Sequence, residues 1–373
     1  MQVIVNRTEF LKKLRIVEKA ISENKIKPIL SCVYMETRGE MLFLCGTNLE
    51  TTITTTVSCK QVIEEGKVAF QYPLIDEYMK ELKEEEVQIR MAGDSLMVEG
   101  GDAVSEFSTF SSEDYPKAFE NFMQQEKEVL LRMNSIELAS IFDKLKFSAG
   151  NTDNPAIHCV RIEGRDGEIH FVTTDTYRLT YLHKEFLLPE DFQMSLPLEA
   201  VEACSKIFRG LEADVKLYFD KKFAHFEIED IHIMSSLIEL NFPAYQAILS
   251  NGNYDKTMGI STENLLSILR RVIIFVRNNE ESKYGATFHL SDGLLKIKGN
   301  SDIAKINEEM IVDYQGAPLK VSLNTKYLFD FVQNLEKDTE LSVEMLSSKT
   351  SVKVHEKGKE DYIYILMPLA LKD

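Results

Sequence analysis

Apolar and polar positions follow one pattern three times along this chain. Three stretches open with a hydroxyl residue and place aliphatic residues three and six positions on: Thr8, Leu11 and Leu14; Ser135, Leu138 and Ile141; Thr262, Leu265 and Ile268. Successive stretches are offset by 127 residues. The spacing predicts the start of an amphipathic helix, with the hydroxyl able to cap the first turn. A second helix is predicted in each period, announced by Tyr72-Pro73-Leu74, Leu196-Pro197-Leu198 and Leu323-Asn324-Thr325. Pro suits a first helical position, and Asn or Thr suits a cap. The segments that follow (I-D-E-Y-M-K-E-L, E-A-V-E-A-C-S-K-I-F and K-Y-L-F-D-F-V-Q-N-L) repeat apolar residues at three- and four-residue spacing.

Period-two alternation marks the strands. Each unit closes on a pair: V-Q-I-R-M with S-L-M-V-E-G, V-K-L-Y-F with F-A-H-F-E-I, and L-S-V-E-M with S-V-K-V-H. A further strand ends near Tyr115-Pro116, Phe242-Pro243 or Met367-Pro368, spaced 127 and then 125 residues apart. Residues 171–180, F-V-T-T-D-T-Y-R-L-T, run as a strand into a polar turn and resume as a second strand. Weaker echoes lie at residues 42–50, L-F-L-C-G-T-N-L-E, and 295–303, L-K-I-K-G-N-S-D-I. The middle copy alone carries Tyr177, Arg178 and Leu179 past its break, which marks it as a docking site.

A period of this length exceeds the roughly 20–50 residues of solenoid modules and is long enough for each unit to bury its own core. The reading is an α+β chain of three tandem similar domains, each with two helices against antiparallel sheets. The expected domains are residues 1–123, 124–252 and 253–373, with polar joints near 119–128 and 246–257.

Composition narrows the function. The 373 residues are 44% apolar, and no apolar run approaches the length a membrane helix needs. The N-terminus reads as a strand entering a helix, without the features of an export signal, so a cytoplasmic location is expected. The five cysteines are odd in number and form no C-x-x-C, which argues against zinc or a disulfide framework and for a reducing compartment. The seven histidines show no H-E-x-x-H or other metal spacing. No phosphate-binding glycine loop, dinucleotide fingerprint or G-x-S-x-G is present. A non-catalytic protein without metal or cofactor is expected, with Asp175 capping its turn rather than catalysing.

The formal charge of −17 opposes binding DNA through a broad basic surface. It leaves open a protein whose few basic residues gather on one inward face. The helices offer such stripes: Lys12, Arg15 and Lys19 at i, i+3 and i+7; Lys144, Lys146, Lys206 and Arg209; and Arg270, Arg271 and Arg277. Acidic residues concentrate elsewhere, as at Glu84-Glu85-Glu86 and Glu308-Glu309.

Over its full length the chain resembles the bacterial sliding clamps, the beta subunits of the replicative DNA polymerase III. The resemblance rests on the three-fold repeat and on motifs in order: K-P-I-L at 27–30, N-P-A-I at 154–157, T-T-D-T-Y-R-L at 173–179, F-P-A-Y at 242–245 and Y-I-Y-I-L-M-P-L at 362–369. It implies a head-to-tail homodimer closing as a ring of six domains, with helices lining the hole and sheets outside. Double-stranded DNA then passes through the hole, held by topology, and a weak non-specific attraction to phosphates permits sliding. The DNA-facing residues it implies are Lys12, Arg15, Lys19, Lys144, Lys146, Lys206, Arg209 and Arg271, with Lys25 and Lys27 on a loop. That loop ranks lower because Asn24 stands where the family often has arginine.

The resemblance also implies partners: a clamp loader, the replicative DNA polymerase, and other replication and repair proteins carrying a Gln-Leu-x-Leu-Phe-like motif. The motif would enter a cleft between the second and third domains. Its residues here are Ile157, Thr174, Thr176, Tyr177, Arg178 and Leu179, then Pro243 and Ile248, then Asn324, Tyr327 and Ser351, and Ile365, Leu366, Met367, Pro368 and Leu369 of the tail. An apolar trough with adaptable methionine and a few polar groups suits a peptide anchor. Thr176-Tyr177 stands where the family often has Gly-His, Ala247 and Ala370 where it often has arginine, and Lys372 and Asp373 extend past the usual final leucine. The ring joint would bring Phe107 and Thr109 of one chain against Ile274 and Phe275 of the other. The rival reading is a peptide-binding scaffold never loaded on DNA, kept open by Asn24, Tyr177 and Ala247; retention on closed DNA separates the two.

Overall fold

The computed structural model describes residues 1–117, 120, 128–220, 222–250, 252–279 and 282–370. Most of the joint expected at 119–128, and the tail residues Lys372 and Asp373, lie outside them. The helices are α1 (Arg7–Val17), α2 (Tyr72–Glu81), α3 (Ser135–Lys146), α4 (Leu198–Phe208), α5 (Gln246–Ser250), α6 (Thr262–Val276) and α7 (Thr325–Val332). The paired helices of each predicted unit are thus present, and α1 packs on α2 and α6 on α7.

The first repeat starts one residue earlier than its pattern suggests. The capping residues are Asn6, Asn134 and Ser261, which accept from Glu9 N at 3.0 Å, Ile136 N at 3.0 Å and Asn264 N at 3.3 Å. Thr8, Ser135 and Thr262, expected to cap, do not. Thr8 is exposed in the first turn. Ser135 and Thr262 are buried, and their hydroxyls donate to carbonyls beyond the second helix, Leu211 O at 2.6 Å and Glu336 O at 3.2 Å.

In the first repeat Arg7 takes this tethering role, with Nε donating to Glu84 O at 2.7 Å and Nη1 to Met79 O at 3.1 Å. The backbone N–H groups of Arg7, Ser135 and Thr262 donate to equivalent carbonyls, Glu85 O, Ala213 O and Thr339 O, at 2.8–2.9 Å. With those positions aligned, the core faces coincide as Phe10, Leu14 and Val17; Leu138, Phe142 and Leu145; and Leu265, Leu269 and Val272, none more than 1% exposed. Spacing of i, i+4, i+7 puts each trio on one helix face, and burying each such side chain contributes roughly 1.5–3 kcal/mol.

The contacts divide the chain into two compact units, Met1–Ala139 with Glu199–Leu237, and Ser140–Leu198 with Ile238–Asp373. Two units rather than three reflects continuous sheets. In the first unit a twelve-stranded antiparallel sheet passes from Thr51–Glu64 directly to Ile231–Ser236, so strands of the first and middle repeats share a ladder. Thr51–Glu64 also pairs with Gln2–Asn6, which closes the first eight strands on themselves. In the second unit a nine-stranded sheet passes in the same way from Arg178–Glu185 to Tyr362–Leu366, joining strands of the middle and third repeats. A four-stranded sheet, Lys305–Ile311, Leu294–Asn300, Gly285–Ser291 and Leu319–Asn324, completes that unit. Ordinary backbone ladder bonds therefore hold consecutive repeats together.

The ladder in the first unit is fastened by one carboxylate. Asp230 accepts from Thr55 Oγ1 at 2.7 Å, Thr56 N at 3.0 Å and Thr56 Oγ1 at 3.2 Å, and it pairs with Lys13 of α1. Burial alone would raise its pKa, but Lys13 and the threonine donors outweigh burial and hold it at about 2. The unfolded value is near 4, so this stabilisation is present above pH 4 and is lost as pH falls from 4 to 2. Asp230→Asn is expected to lower stability near pH 6 by on the order of 1–2 kcal/mol and to match the wild type near pH 2. Urea midpoints of both proteins across that range check it; a constant gap down to pH 2 excludes the ionic account.

Candidate functional site

The turn between strands Glu168–Thr174 and Arg178–Glu185 builds a surface groove in the second unit. Asp175 fastens the turn: Oδ1 accepts from Tyr177 N at 3.0 Å and Arg178 N at 2.9 Å, as expected for a capping carboxylate. Thr174 Oγ1 donates to Arg178 O at 2.7 Å and accepts from Thr176 N at 3.0 Å. Met367 N donates to Tyr177 O at 2.8 Å, which ties the tail to the turn. The turn spends most of its backbone polar groups, with Thr174 and Asp175, on itself and on the tail.

Arg178 lies beneath. Its side chain is 10% exposed, with Nε donating to Asp175 Oδ2 at 2.8 Å and Nη1 to Asp330 Oδ2 of α7 at 3.2 Å. The guanidinium sits 4.0 Å from the centre of the Tyr327 ring. Burial would pull its pKa down, yet Tyr364, Asp175 and Asp330 raise it overall, so the group stays cationic. Tyr364 in turn donates to Tyr327 O at 2.9 Å and stacks on Phe331 at 4.6 Å.

The groove holds about 170 Å³ and is lined by Thr174, Thr176, Tyr177, Arg178, Leu179, Pro243, Tyr245, Ile248, Ile365 and Met367. Nine of these ten were expected from the sequence. The tenth, Tyr245, was missed, although it closes the F-P-A-Y motif. It is buried, donates to Glu163 Oε2 at 2.8 Å, and packs with Val172, Leu179, Tyr181, Ile363 and Ile365 as the floor. Exposed apolar side chains at the mouth are Tyr177, Ile248 and Met367.

The other expected residues sit off the lining. Ile157 is buried against Gly150. Asn324 caps α7, accepting from Lys326 N and Tyr327 N at 3.0 and 3.1 Å. Tyr327 supports Arg178 from below, and Leu366 is buried opposite Arg178 in the ladder. Leu369 N donates to Ser322 O at 2.8 Å, Pro368 precedes it in the tail, and Ser351 is half-buried before strand Val352–Glu356.

The basic residues are less free than the sequence suggests. Arg15 meets Asp76 at 2.9 Å, Lys146 meets Asp143 at 2.7 Å, Lys206 meets Glu202 at 3.9 Å, and Arg271 holds Glu308 through two 2.8 Å bonds. Lys19 pairs with Glu18 at 2.8 Å and lies in a 3₁₀ turn after α1 has ended, so the predicted i, i+3, i+7 stripe stops at Arg15. Lys144 stands 5.6 Å from the Tyr362 ring centre. Lys12, Lys25, Lys27 and Arg209 are exposed, and Asn24 Oδ1 folds its loop by accepting from Ile26 N and Lys27 N. Of the expected joint residues, Ile274 is exposed, Phe275 and Thr109 are half-buried, and Phe107 packs on Tyr78 with ring centres 5.7 Å apart.

Three family descriptions match in order: DNA polymerase III beta subunit, N-terminal domain, at residues 1–119, its central domain at 132–244, and its C-terminal domain at 251–370. The chain is 24% identical to the beta sliding clamp of Pseudomonas aeruginosa, and all of each chain is covered. Among solved structures it is similar to the DNA polymerase III beta subunit of Thermotoga maritima, with a TM-score of 0.91, 20% identity and full coverage of both chains. It is also similar to the Pseudomonas aeruginosa sliding clamp bound to griselimycin, with a TM-score of 0.90, 24% identity and full coverage of both chains.

Thr176 adopts φ +76°, a left-handed conformation that is costly for a β-branched residue. Thr176→Gly removes that strain and loosens the unfolded chain, so a net gain of roughly 1 kcal/mol is expected. Thermal or urea unfolding checks it, and a loss of stability would mean that the threonine side chain makes a contact worth more than the strain.

Proposed function

The chain belongs to the DNA polymerase III beta subunit family, the sliding clamps, which are non-catalytic processivity factors, and from that premise we propose how its surfaces serve the task. The groove of the second unit takes a short peptide from the replicative polymerase and from other replication and repair proteins. The observation that carries this reading is a groove in which Thr174, Asp175, Arg178 and the backbone of Tyr177 are already bonded internally while Tyr177, Ile248 and Met367 stay exposed at its mouth. Apolar side chains left in water at a preformed trough favour an apolar partner. A volume of about 170 Å³ lies below that of typical small-molecule pockets and suits one or two anchoring side chains of an extended segment such as Gln-Leu-x-Leu-Phe.

Three domains, 1–123, 124–252 and 253–373, would form half of a head-to-tail dimeric ring. The free edges support this. Strand Ala103–Phe110 pairs with Lys67–Gln71 only through Thr109 and Phe110, so most of that side has no partner among the described residues. Strand Lys305–Ile311 is the outer strand of its sheet, with Ile311 exposed, and Ile274 of α6 and Ile303 are exposed in the same unit. Unpaired edges and bare isoleucines are liabilities that a second copy removes. Inside such a ring Lys12, Arg15, Lys19, Lys25, Lys27, Lys144, Lys146, Lys206, Arg209 and Arg271 would face duplex DNA. Apart from Arg15, whose partner Asp76 is buried, these are exposed ion pairs and weak, so phosphates can compete for them, and the pairing keeps attraction low enough for sliding.

Two tests follow. Met367→Asp places a charge at the groove mouth and is expected to weaken binding of a fluorescent Gln-Leu-x-Leu-Phe peptide at least tenfold, while Lys357→Asp, an exposed residue off the groove, leaves it unchanged; equal binding by both variants rules the groove out. Phe275→Asp is expected to halve the mass seen by sedimentation, and an unchanged dimer counts against that joint.

The ring itself is tested with a clamp loader and ATP on nicked circular plasmid. Retention on the circle and release after linearisation supports a topological ring. Retention on both forms means contact binding. Failure to load, with a loader that works on another clamp, favours a peptide-binding scaffold, the reading kept open by Asn24, Tyr177 and Ala247.

A further inference from the structure

The hairpin that forms the groove carries a second cluster further along its strands. Glu168 and His170 are two residues apart on one strand and share a face, and His183 lies opposite His170 in the ladder. Glu168 Oε2 is 3.7 Å from His170 Nε2 and 3.5 Å from His183 Nδ1, and the three atoms all lie within 4.8 Å of one another. Bonds of 2.0–2.2 Å at tetrahedral angles put zinc ligands about 3.4 Å apart, so small side-chain adjustments close the set.

Two further features fit a cation. His183 Nδ1 is buried yet has no hydrogen-bond partner among the described residues. A buried ring nitrogen in that state calls for a ligand. His170 makes its other bond through Nδ1 to the Tyr181 hydroxyl at 2.8 Å, which orients Nε2 toward Glu168 and His183. The rings of His170, Tyr181 and His183 stack on one another, which limits their rotation. Arg165 lies across the ladder from Glu168, its positive charge disfavours protonation of His170, and it pairs with Glu163 at 3.7 Å.

We propose that Glu168, His170 and His183 bind a divalent cation of the zinc class, with solvent in the fourth position. Two imidazoles and one carboxylate are a donor set that zinc accepts, and hard cations such as magnesium prefer all-oxygen sites. The partial exposure of Glu168 and His183 gives the ion a way in. Bound there, it cross-links the two strands whose turn lines the groove. A second grouping, Glu344, His355 and Glu360, is already neutralised by Lys353, which lies 3.5 Å from Glu344 and 2.8 Å from Glu360. It serves as the internal control.

The test uses full-length protein stripped with chelator and titrated with zinc chloride by calorimetry. One ion per chain is expected, with Kd near or below about 1 µM. Cobalt(II) in place of zinc is expected to give the visible bands of a four-coordinate nitrogen–oxygen site without thiolate charge transfer. Glu168→Gln and His183→Gln are each expected to weaken zinc binding at least about 100-fold, while Glu344→Gln with Glu360→Gln leaves it unchanged. Circular dichroism verifies that each variant is folded, and His170 is left intact because it is buried. The assignment is overturned if the wild type takes up no zinc at about 100 µM, if the first two variants keep full affinity, or if the control pair abolishes it.

Discussion

A buried cation organises the second unit. Arg178 joins the turn through Asp175, α7 through Asp330 and Tyr327, and the tail strand through its ladder position opposite Leu366. Removing a guanidinium from water costs several kcal/mol, and only well-placed carboxylates and rings offset that. Once they are in place, the turn, the helix and the tail cannot shift independently. The groove above is shaped by this arrangement, because Met367 N donates to Tyr177 O beside the Arg178–Leu366 pair of the ladder.

The three repeats meet one structural need with different chemistry. The chain must be fastened where a strand enters the first helix and where the second helix ends. Serine does this in the middle repeat, threonine in the third and arginine in the first. The backbone bonds at the three positions are equivalent, so the fold conserves the geometry and leaves the side chain free to vary. Ladder continuity between repeats follows the same logic, with threonines and Asp230 at one junction and tyrosines at the other.

The charge of −17 and the pairing of Arg15, Lys19, Lys146, Lys206 and Arg271 with carboxylates belong together. An acidic protein repels nucleic acid at long range, and basic residues already engaged by carboxylates attract it weakly. Weak attraction is what a mobile ring requires, because each tight phosphate contact adds a barrier to sliding.

The sequence by itself determined the repeat, the paired helices and the class of fold, and the family resemblance supplied nine of the ten groove-lining residues. The repeat and its helices depend on local periodicity and on turn chemistry, which are written in consecutive residues: the Asp175 turn and the apolar spacing that opens α3 and α6. Tertiary structure decided what depends on residues far apart in the chain. It moved the first repeat by one residue, because Arg7 reaches the carbonyls of Met79 and Glu84. It put Tyr245 into the groove floor through Glu163, and it turned Lys19 and Arg271 toward carboxylates. It also set His170 across from His183, thirteen residues away, a juxtaposition that no spacing rule along one segment detects. Periodicity fixes which face a side chain takes, and only the packed ladder fixes which distant side chain it meets.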